Sequence, residues 1–135
     1  KGFVGIHSAT DTEYNWGWYG KLVGAYFLDH PEIQEAKIET INKEHISTRH
    51  LEDIWEIEDE WYNFKDFNPN INELLNLDEK SYSGGKNGQY HPITWYHEFE
   101  GGRSFYTALG HKGETYKDKR FIKLLLGGIL YAAKN

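Results

Sequence analysis

Residues 91–109, HPITWYHEFEGGRSFYTAL, carry the strongest local structural pattern in the chain. Two runs of β-branched and aromatic residues flank Gly101-Gly102, and a two-residue glycine turn is typical of a tight β-hairpin. A turn at these glycines pairs Glu100 with Arg103 and so fixes the register of both strands. Side chains alternate along a strand, so three pairs then share one face: Phe99 with Ser104, His97 with Tyr106, and Trp95 with Ala108. We therefore predict a hairpin that carries a histidine, a phenol and a tryptophan on a common face.

The segment nearest the N-terminus predicts a second structural landmark. Phe3 to His7 is an apolar run typical of a buried parallel strand, and it delivers His7 at the C-terminal end of that strand. Open α/β sheets bind their ligands at this edge. His7 is therefore placed where a reactive group would be expected.

Other segments predict a mixture of strands and helices, which is typical of an α/β domain. Apolar spacing predicts a helix over residues 14–28 and another over 119–133, the latter capped by Asp118. The stripe expected to bury the second helix consists of Phe121, Leu124, Leu125 and Ile129. Extended segments are predicted at 36–41, 55–64 and 74–77, and the glycine-rich segment 80–90 is expected to be a mobile loop able to cover a site.

Composition excludes several classes of function. The 135 residues suit a single domain, which we take to be 1–135. Cysteine is absent, so disulfides, thiolate catalysis and cysteine-bound zinc are excluded. The net charge of −6, with no run of lysine or arginine, argues against nucleic acid as a partner. The longest apolar run is too short to cross a membrane, so we expect a soluble protein without a membrane partner, in the cytoplasm, periplasm or outside the cell.

Four positions combine the residue types that acid–base chemistry needs, and each also has a structural interpretation. His7 and Gly110-His111 follow strands, and a histidine there is either a proton-transfer group or a buried residue bonded to a carbonyl. In 59–62, Asp-Glu-Trp-Tyr, the aromatic rings either raise the pKa of a carboxylate or flank a solvated acidic turn. The hairpin pair His97 and Tyr106 is either part of a site or a buried hydrogen bond.

Metal binding is an open alternative at this stage. Seven histidines in a small domain favour it, because neutral imidazole is a common ligand. The spacings HxH, HxxxH and HExxH are absent, however. We therefore predict no cofactor, and keep a divalent metal as an alternative.

Four stretches together resemble one family. They are GFVGIHSATDTEYNWGWYG at 2–20, DEWYNF at 59–64, HPITWYHEFEGGRSFYTALGH at 91–111 and FIKLLLGGILYA at 121–132, and they resemble the ThuA-like (trehalose utilisation) family. The resemblance implies a flavodoxin-like, class I glutamine-amidotransferase-like three-layer α/β fold. It also implies that this chain is the C-terminal portion, with N-terminal strands of the domain preceding Lys1.

The resemblance places His7 where amidotransferases carry their nucleophilic cysteine, so glutamine hydrolysis through a thiolate is excluded. It places His111 near their catalytic histidine, and opens both onto one cleft. The cleft would also hold Glu60, His91, His97 and Arg103. Three departures from the family pattern, at Gly17, at 44–47 and at 112–113, leave this cleft in place and remove His45 from consideration.

We expect an enzyme that acts on a trehalose-related disaccharide or keto-sugar by histidine-based acid–base chemistry. The predicted catalytic residues are His7, His97, His111 and Glu60, and the predicted substrate-binding residues are Trp61, His91, Trp95, Arg103 and Tyr106. One alternative is a carbohydrate-binding or accessory module without turnover. The other is a metal-dependent hydrolase whose ion is held by some of His7, His91, His97 and His111.

Overall fold

The computed structural model describes residues 1–134 and is built around a six-stranded sheet. The strands are β1 (Gly2–Ile6), β2 (Tyr26–Asp29), β3 (Gln34–Thr40), β4 (Ile54–Asp59), β5 (Asn63–Lys65), β6 (Asn72–Leu77), β7 (Pro92–Phe99) and β8 (Gly102–Thr107). The helices are α1 (Gly17–Val23) and α2 (Lys119–Ala133), with short 3-10 turns at His7–Thr10, Glu79–Ser81 and Gly113–Lys117. The predicted first strand and last helix are thereby confirmed.

The large sheet has the order β1-β8-β7-β6-β3-β4, while β2 and β5 form a separate antiparallel pair. Strand β1 runs parallel to β8, and the other neighbours in the large sheet are antiparallel. Ser104 of β8 faces α1, because its hydroxyl donates to the carbonyl of Leu22. The next residue, Phe105, faces α2 on the opposite side, where it meets Gly128. The described residues therefore form layers on both faces of a mixed sheet, which is the predicted α/β class.

The hairpin is present, but its turn lies one residue earlier than predicted. Strands β7 and β8 are joined by Glu100 and Gly101, whose φ angles of 47° and 73° are both positive. His97 therefore lies opposite Ser104 and Trp95 opposite Tyr106, so the predicted His97–Tyr106 and Trp95–Ala108 pairs are wrong by two residues. A shift of two keeps every side chain on its predicted face.

The reason for the shift is a tertiary contact. A Cβ on Gly102 would lie 2.3 Å from the carbonyl oxygen of Lys1, so this glycine allows β1 to pair closely with β8. Gly102 is thus needed in the ladder and not in the turn.

The predicted helix over residues 14–28 is wrong at both ends, because α1 begins at Gly17 and is only 7 residues long. Helix α1 ends at Val23, and the chain then continues into β2. Gly24 has a φ of +105°, and a Cβ there would lie 2.3 Å from Nε1 of Trp95. That indole nitrogen donates to the carbonyl of Val23 at 2.8 Å. The helix therefore ends where Trp95 caps its last turn, a contact that local apolar spacing does not report.

The extended segment predicted over 55–64 is two strands, β4 and β5, separated by Glu60 to Tyr62. The glycine-rich segment 80–90 is tied to β5, because the side chain of Asn87 bonds to both the N–H and the carbonyl of Phe64. Asn63 adds bonds to the carbonyl of Gly84 and the N–H of Lys86. These bonds anchor the segment beside β5, where a freely mobile cover was expected.

Helix α2 packs on the sheet through its small residues as well as its large ones. Asp118 accepts from the N–H of Arg120, which confirms the predicted N-cap. The buried residues are Phe121, Leu124, Gly127, Gly128 and Ala132. Ile129, which was expected on the buried stripe, is 46% exposed, because the helix packs instead through Gly128 against Phe105 of β8 and through Gly127 against the backbone of Ser47. Among residues 1–134, no helix combines the length and apolarity that crossing a membrane requires.

The close approach at Gly128 can be tested by adding a methyl group. A Cβ there would lie 2.3 Å from a ring carbon of Phe105, so we expect Gly128→Ala to lower the free energy of unfolding by about 1–3 kcal/mol. Gly17 is the matched control, because no atom lies within 4 Å of a Cβ built on it. Gly17→Ala should leave stability unchanged or raise it by up to about 1 kcal/mol. Urea unfolding of both variants measures the difference, and equal destabilisation would contradict the packing.

Glu73 of β6 predicts a dependence of stability on pH. One of its carboxylate oxygens is buried without a hydrogen-bond partner, and burial, together with the charge of Glu39, raises its pKa from 4.5 to about 7. The folded protein therefore holds this proton more tightly than the unfolded chain does. The contribution of this protonated carboxyl group to the free energy of unfolding is complete below pH 4.5 and is lost as the pH rises through about 7.

Glu73→Gln removes this titration. The variant should become more stable than wild type above pH 7, with little difference at pH 4.5. Unfolding free energies at both pH values measure the effect. If the stability advantage of Glu73→Gln over wild type does not grow from low pH to high pH, the prediction is wrong.

Candidate active site

His7 lies directly after β1, at the strand end predicted from the sequence. Its φ of 46° is unusual for a residue with a side chain, and such conformations cost about 1–3 kcal/mol. The hydroxyl of Tyr106 donates to the carbonyl of His7 at 2.7 Å and so stabilises this backbone conformation. Glu100 has a similar φ angle in the hairpin turn, so His7 is distinguished by the contact between its ring and Glu60, and not by the angle alone.

The two ring nitrogens of His7 have different partners. Nδ1 lies 2.7 Å from the carbonyl oxygen of Ala108, which only accepts, so Nδ1 carries a proton. Nε2 lies 3.2 Å from Oε1 of Glu60. In a neutral ring this nitrogen would direct a lone pair at a carboxylate oxygen, so the contact is attractive only with a cation or a shared proton between them. His7 and Glu60 are only 6% and 8% exposed, so water screens their contact little and the need for a cation or a shared proton is greater.

Two further histidines lie on the solvent side of Glu60. Nδ1 of His111 is 3.6 Å from Oε1, and Nδ1 of His30 is 3.7 Å from Oε2. Their side chains are 42% and 43% exposed. The convergence of His7, Glu60 and His111 agrees with the sequence prediction. His30 was missed, since its position before a proline was interpreted as the end of a helix, and it follows β2.

Asp59 holds the loop that carries His111. The N–H groups of Gly110, His111 and Lys112 donate to its carboxylate at 2.9, 3.2 and 3.3 Å. The hydroxyl of Thr115 donates at 2.8 Å and the N–H of Glu60 at 2.9 Å. The adjacent carboxylates of the predicted acidic motif thus have separate roles, with Asp59 saturated inside the protein and Glu60 facing the histidines.

Tyr62 forms an aromatic wall beside these groups. Its ring centroid lies 4.1 Å from that of His7 and 4.3 Å from that of Phe27. Burial and the negative charge of Glu60 raise the pKa of Tyr62 to about 12, so the phenol stays neutral. A neutral, partly apolar wall strengthens the electrostatic interactions of the imidazoles beside it.

The hairpin residues lie away from this cluster. His97 donates from Nε2 to the carbonyl of Lys21 at 2.9 Å, and burial lowers its pKa, so it is a neutral core residue. Its predicted convergence with His7 and His111 is therefore wrong. Trp95 and Tyr106 have no exposed surface, so they cannot stack on a sugar. They occupy the core because the face that they share packs under α1 and β5.

The remaining predicted binding residues are also structural in their contacts. Trp61 is fully buried and donates to the carbonyl of Gln34, and buried His91 bonds to the Tyr62 carbonyl at 2.8 Å and to Glu79 at 2.7 Å. Arg103 pairs with Gly2, at the end of β1 opposite His7. It is therefore too far along the sheet to act as a clamp at this site.

The role of Asp59 is testable by an isosteric change. Asp59→Asn replaces an accepting oxygen with an N–H₂ group that faces other donors, so we expect a loss of about 1–3 kcal/mol in unfolding free energy. The ring resonances of His111 should shift as its loop loosens, which NMR would detect. Glu58→Gln is the control, because Glu58 is exposed and, within residues 1–134, its carboxylate bonds to the Lys112 ammonium and to no backbone N–H of the loop. The same response in both variants would refute a specific role for Asp59.

Comparisons with known proteins agree with this fold. The family model described as trehalose utilisation, ThuA, matches residues 1–132. A ThuA-like protein from Bacteroides uniformis is 26% identical with a TM-score of 0.77, over 97% of this chain and 58% of that one. A ThuA-like protein from Parabacteroides merdae is 20% identical with a TM-score of 0.77, over 98% of this chain and 60% of that one.

The chain therefore spans only 58% and 60% of the length of these two proteins. A β-galactosidase from Bacillus circulans shares the fold alone, at 12% identity and a TM-score of 0.57, over 96% of this chain and 18% of that one. No curated protein matches the chain significantly. The predicted fold and the predicted resemblance are confirmed, and the chain belongs to the ThuA (trehalose utilisation) family.

Proposed function

We propose that this chain carries the reactive centre of a carbohydrate-processing enzyme that uses histidine-based acid–base chemistry. The proposed substrate is a trehalose-related disaccharide or its keto derivative. Family membership supports the substrate class. The observation that carries the proposal is the buried contact of 3.2 Å between Nε2 of His7 and Glu60, with His111 beside it.

In this proposal His7 is the acid–base group. The bond from Nδ1 to the Ala108 carbonyl fixes the tautomer, so proton exchange takes place at Nε2. Glu60 holds the exchangeable proton in place and stabilises the imidazolium form. His111 and His30 are exposed beyond Glu60, so they lie on the path by which a proton or a sugar oxygen would reach the centre.

The carboxylate count favours this chemistry over a standard glycosidase mechanism. Retaining and inverting glycosidases place two carboxyl groups on either side of the scissile bond. In this cluster Glu60 is available, whereas Asp59 is fully occupied by five donors. Removing a proton next to a carbonyl, or protonating a leaving oxygen, needs one well-placed imidazole. Elimination or isomerisation of a keto-sugar, or its hydrolysis, therefore suits the site.

The alternative of a binding module without turnover loses its main argument. The stacking platform predicted at Trp95 and Tyr106 is inside the core. A module that only bound sugar would also have no use for a strained histidine facing a buried carboxylate. These observations favour an enzyme.

His7→Asn tests the proposal. The amide nitrogen of asparagine can replace the Nδ1–H bond to Ala108, while the Nε2 position is lost, so folding should persist. Turnover of trehalose or its keto derivative by the full-length protein should fall by about 100-fold or more. His50→Asn is the control, since His50 bonds to the carbonyl of Arg120 far from the cluster, and it should retain wild-type turnover. Wild-type turnover in a folded His7→Asn protein would rule out His7 as the acid–base group.

A further inference from the structure

Three potential ligand atoms converge at the reactive centre. They belong to His7, Glu60 and His111, and all of them lie within 4.8 Å of one another. We propose that these residues form a binding site for a divalent transition metal ion of the Zn²⁺ type. The set differs from the histidines that the sequence suggested as ligands, because His91 and His97 lie elsewhere and a carboxylate takes part.

The separations suit a metal after a small movement of one side chain. Zinc bonds to imidazole and carboxylate are about 2.0–2.2 Å long, so neighbouring ligands around the ion lie roughly 3–3.5 Å apart. The His7 Nε2 to Glu60 Oε1 distance is already 3.2 Å, and His111 Nδ1 is 3.6 Å from the same oxygen. Only the imidazole of His111, whose side chain is 42% exposed, has to approach the other two.

The groups behind the ligands have the arrangement that metal sites require. A metal-bound histidine normally donates its other ring N–H to a carbonyl or carboxylate, which orients the ring. His7 does so toward Ala108 at 2.7 Å, which leaves the lone pair of Nε2 directed at Glu60. Asp59 fixes the loop of His111 through three backbone N–H groups. The ring of His7 and the backbone of His111 are therefore positioned before any ion binds.

His91 provides an internal comparison. It is also buried beside a carboxylate, with Nδ1 2.7 Å from Glu79. Its Nε2 is bonded to the Tyr62 carbonyl at 2.8 Å, just as Nδ1 of His7 is bonded to the Ala108 carbonyl. That pair forms no larger group of ligands among the described residues, whereas His7, Glu60 and His111 do. Proximity of histidine and glutamate alone thus does not distinguish a metal site, but the third ligand does.

The charge of Glu60 supports the same conclusion. Within residues 1–134 its ion-pair partners are three histidines, and the nearby Lys112 ammonium turns away to Glu58. No lysine or arginine therefore neutralises this buried carboxylate. A divalent ion would supply the positive charge that the lone pair of His7 and the carboxylate both require.

Three protein ligands would leave coordination positions open toward solvent. Catalytic zinc sites commonly have this arrangement, with two histidines, one carboxylate and an open position for water or substrate. This part of the inference rests on the substrate class of the proposed function, since the open position would accept a sugar hydroxyl or carbonyl oxygen and polarise it. With Nε2 of His7 bound to the ion, the ion would replace His7 as the activating group. His30 lies beside this position, with Nδ1 2.8 Å from the Pro31 carbonyl and 3.7 Å from the other oxygen of Glu60.

The metal alone tests the binding. Full-length protein stripped with a chelator is titrated with ZnCl₂ by calorimetry, and its melting temperature is measured with and without the ion. We expect one equivalent of Zn²⁺ to bind and to raise the melting temperature.

Variants decide which residues bind. His111→Asn is the main test, because His111 is exposed and its loss should not prevent folding. We expect at least a 10-fold loss of Zn²⁺ affinity in His111→Asn and in Glu60→Gln, and none in His50→Asn. Equal affinity in wild type and His111→Asn, or no binding at all, would overturn the metal site.

Turnover separates this inference from the proposed function. Binding of Zn²⁺ that depends on His111 without any turnover of sugar would support the metal site and contradict the proposed function. Turnover that depends on His7, survives the chelator and is accompanied by no Zn²⁺ binding would support the proposed function and contradict the metal site.

Discussion

The carboxylate of Asp59 holds together segments that are far apart in the sequence, and the candidate site depends on it. Gly110 and Thr115, more than 50 positions along the chain, both bond to it, and so does the N–H of the next residue, Glu60. A buried charge is tolerated only when its oxygens are satisfied, and here five donors point at them. Because the same carboxylate ends β4 and fixes the loop after β8, it sets the separation of Glu60 and His111.

A second constraint acts on the other side of the site. His7 keeps an unfavourable backbone conformation because Tyr106 donates to its carbonyl and Ala108 accepts from its ring. Both partners come from β8 or the residue after it, and β8 pairs in parallel with β1. The parallel pairing therefore places the groups that fix the orientation of the His7 imidazole beside the end of β1. Core packing of Tyr106 against Trp95, with ring centroids 4.5 Å apart, keeps that support rigid.

Local patterns in the sequence predicted the first strand, the last helix and its cap, because these elements are determined by residues close in the chain. They failed where a distant residue decides. Gly24 ends α1 because of Trp95, and Gly102 belongs to the ladder because of Lys1. The sites followed the same rule. His7 and His111 were predicted from their strand ends, whereas nothing near His30 indicates that β2 and β5 bring it to Glu60.

Residue type alone could not separate the histidines of the candidate site from those of the core, but the groups around each ring do. His91 has both nitrogens bonded within the protein, and His97 has one bonded and the other buried without a partner. Both rings are almost completely buried, and among the described residues neither belongs to a group of three potential ligands. His7 has one nitrogen that donates inward and one directed at a carboxylate, with the exposed ring of His111 beside it. A buried pair of histidine and carboxylate can exchange a proton or bind a metal only where a further group can reach it. The pair of His7 and Glu60 meets this condition because the loop after β8 brings the exposed ring of His111 to the same carboxylate oxygen.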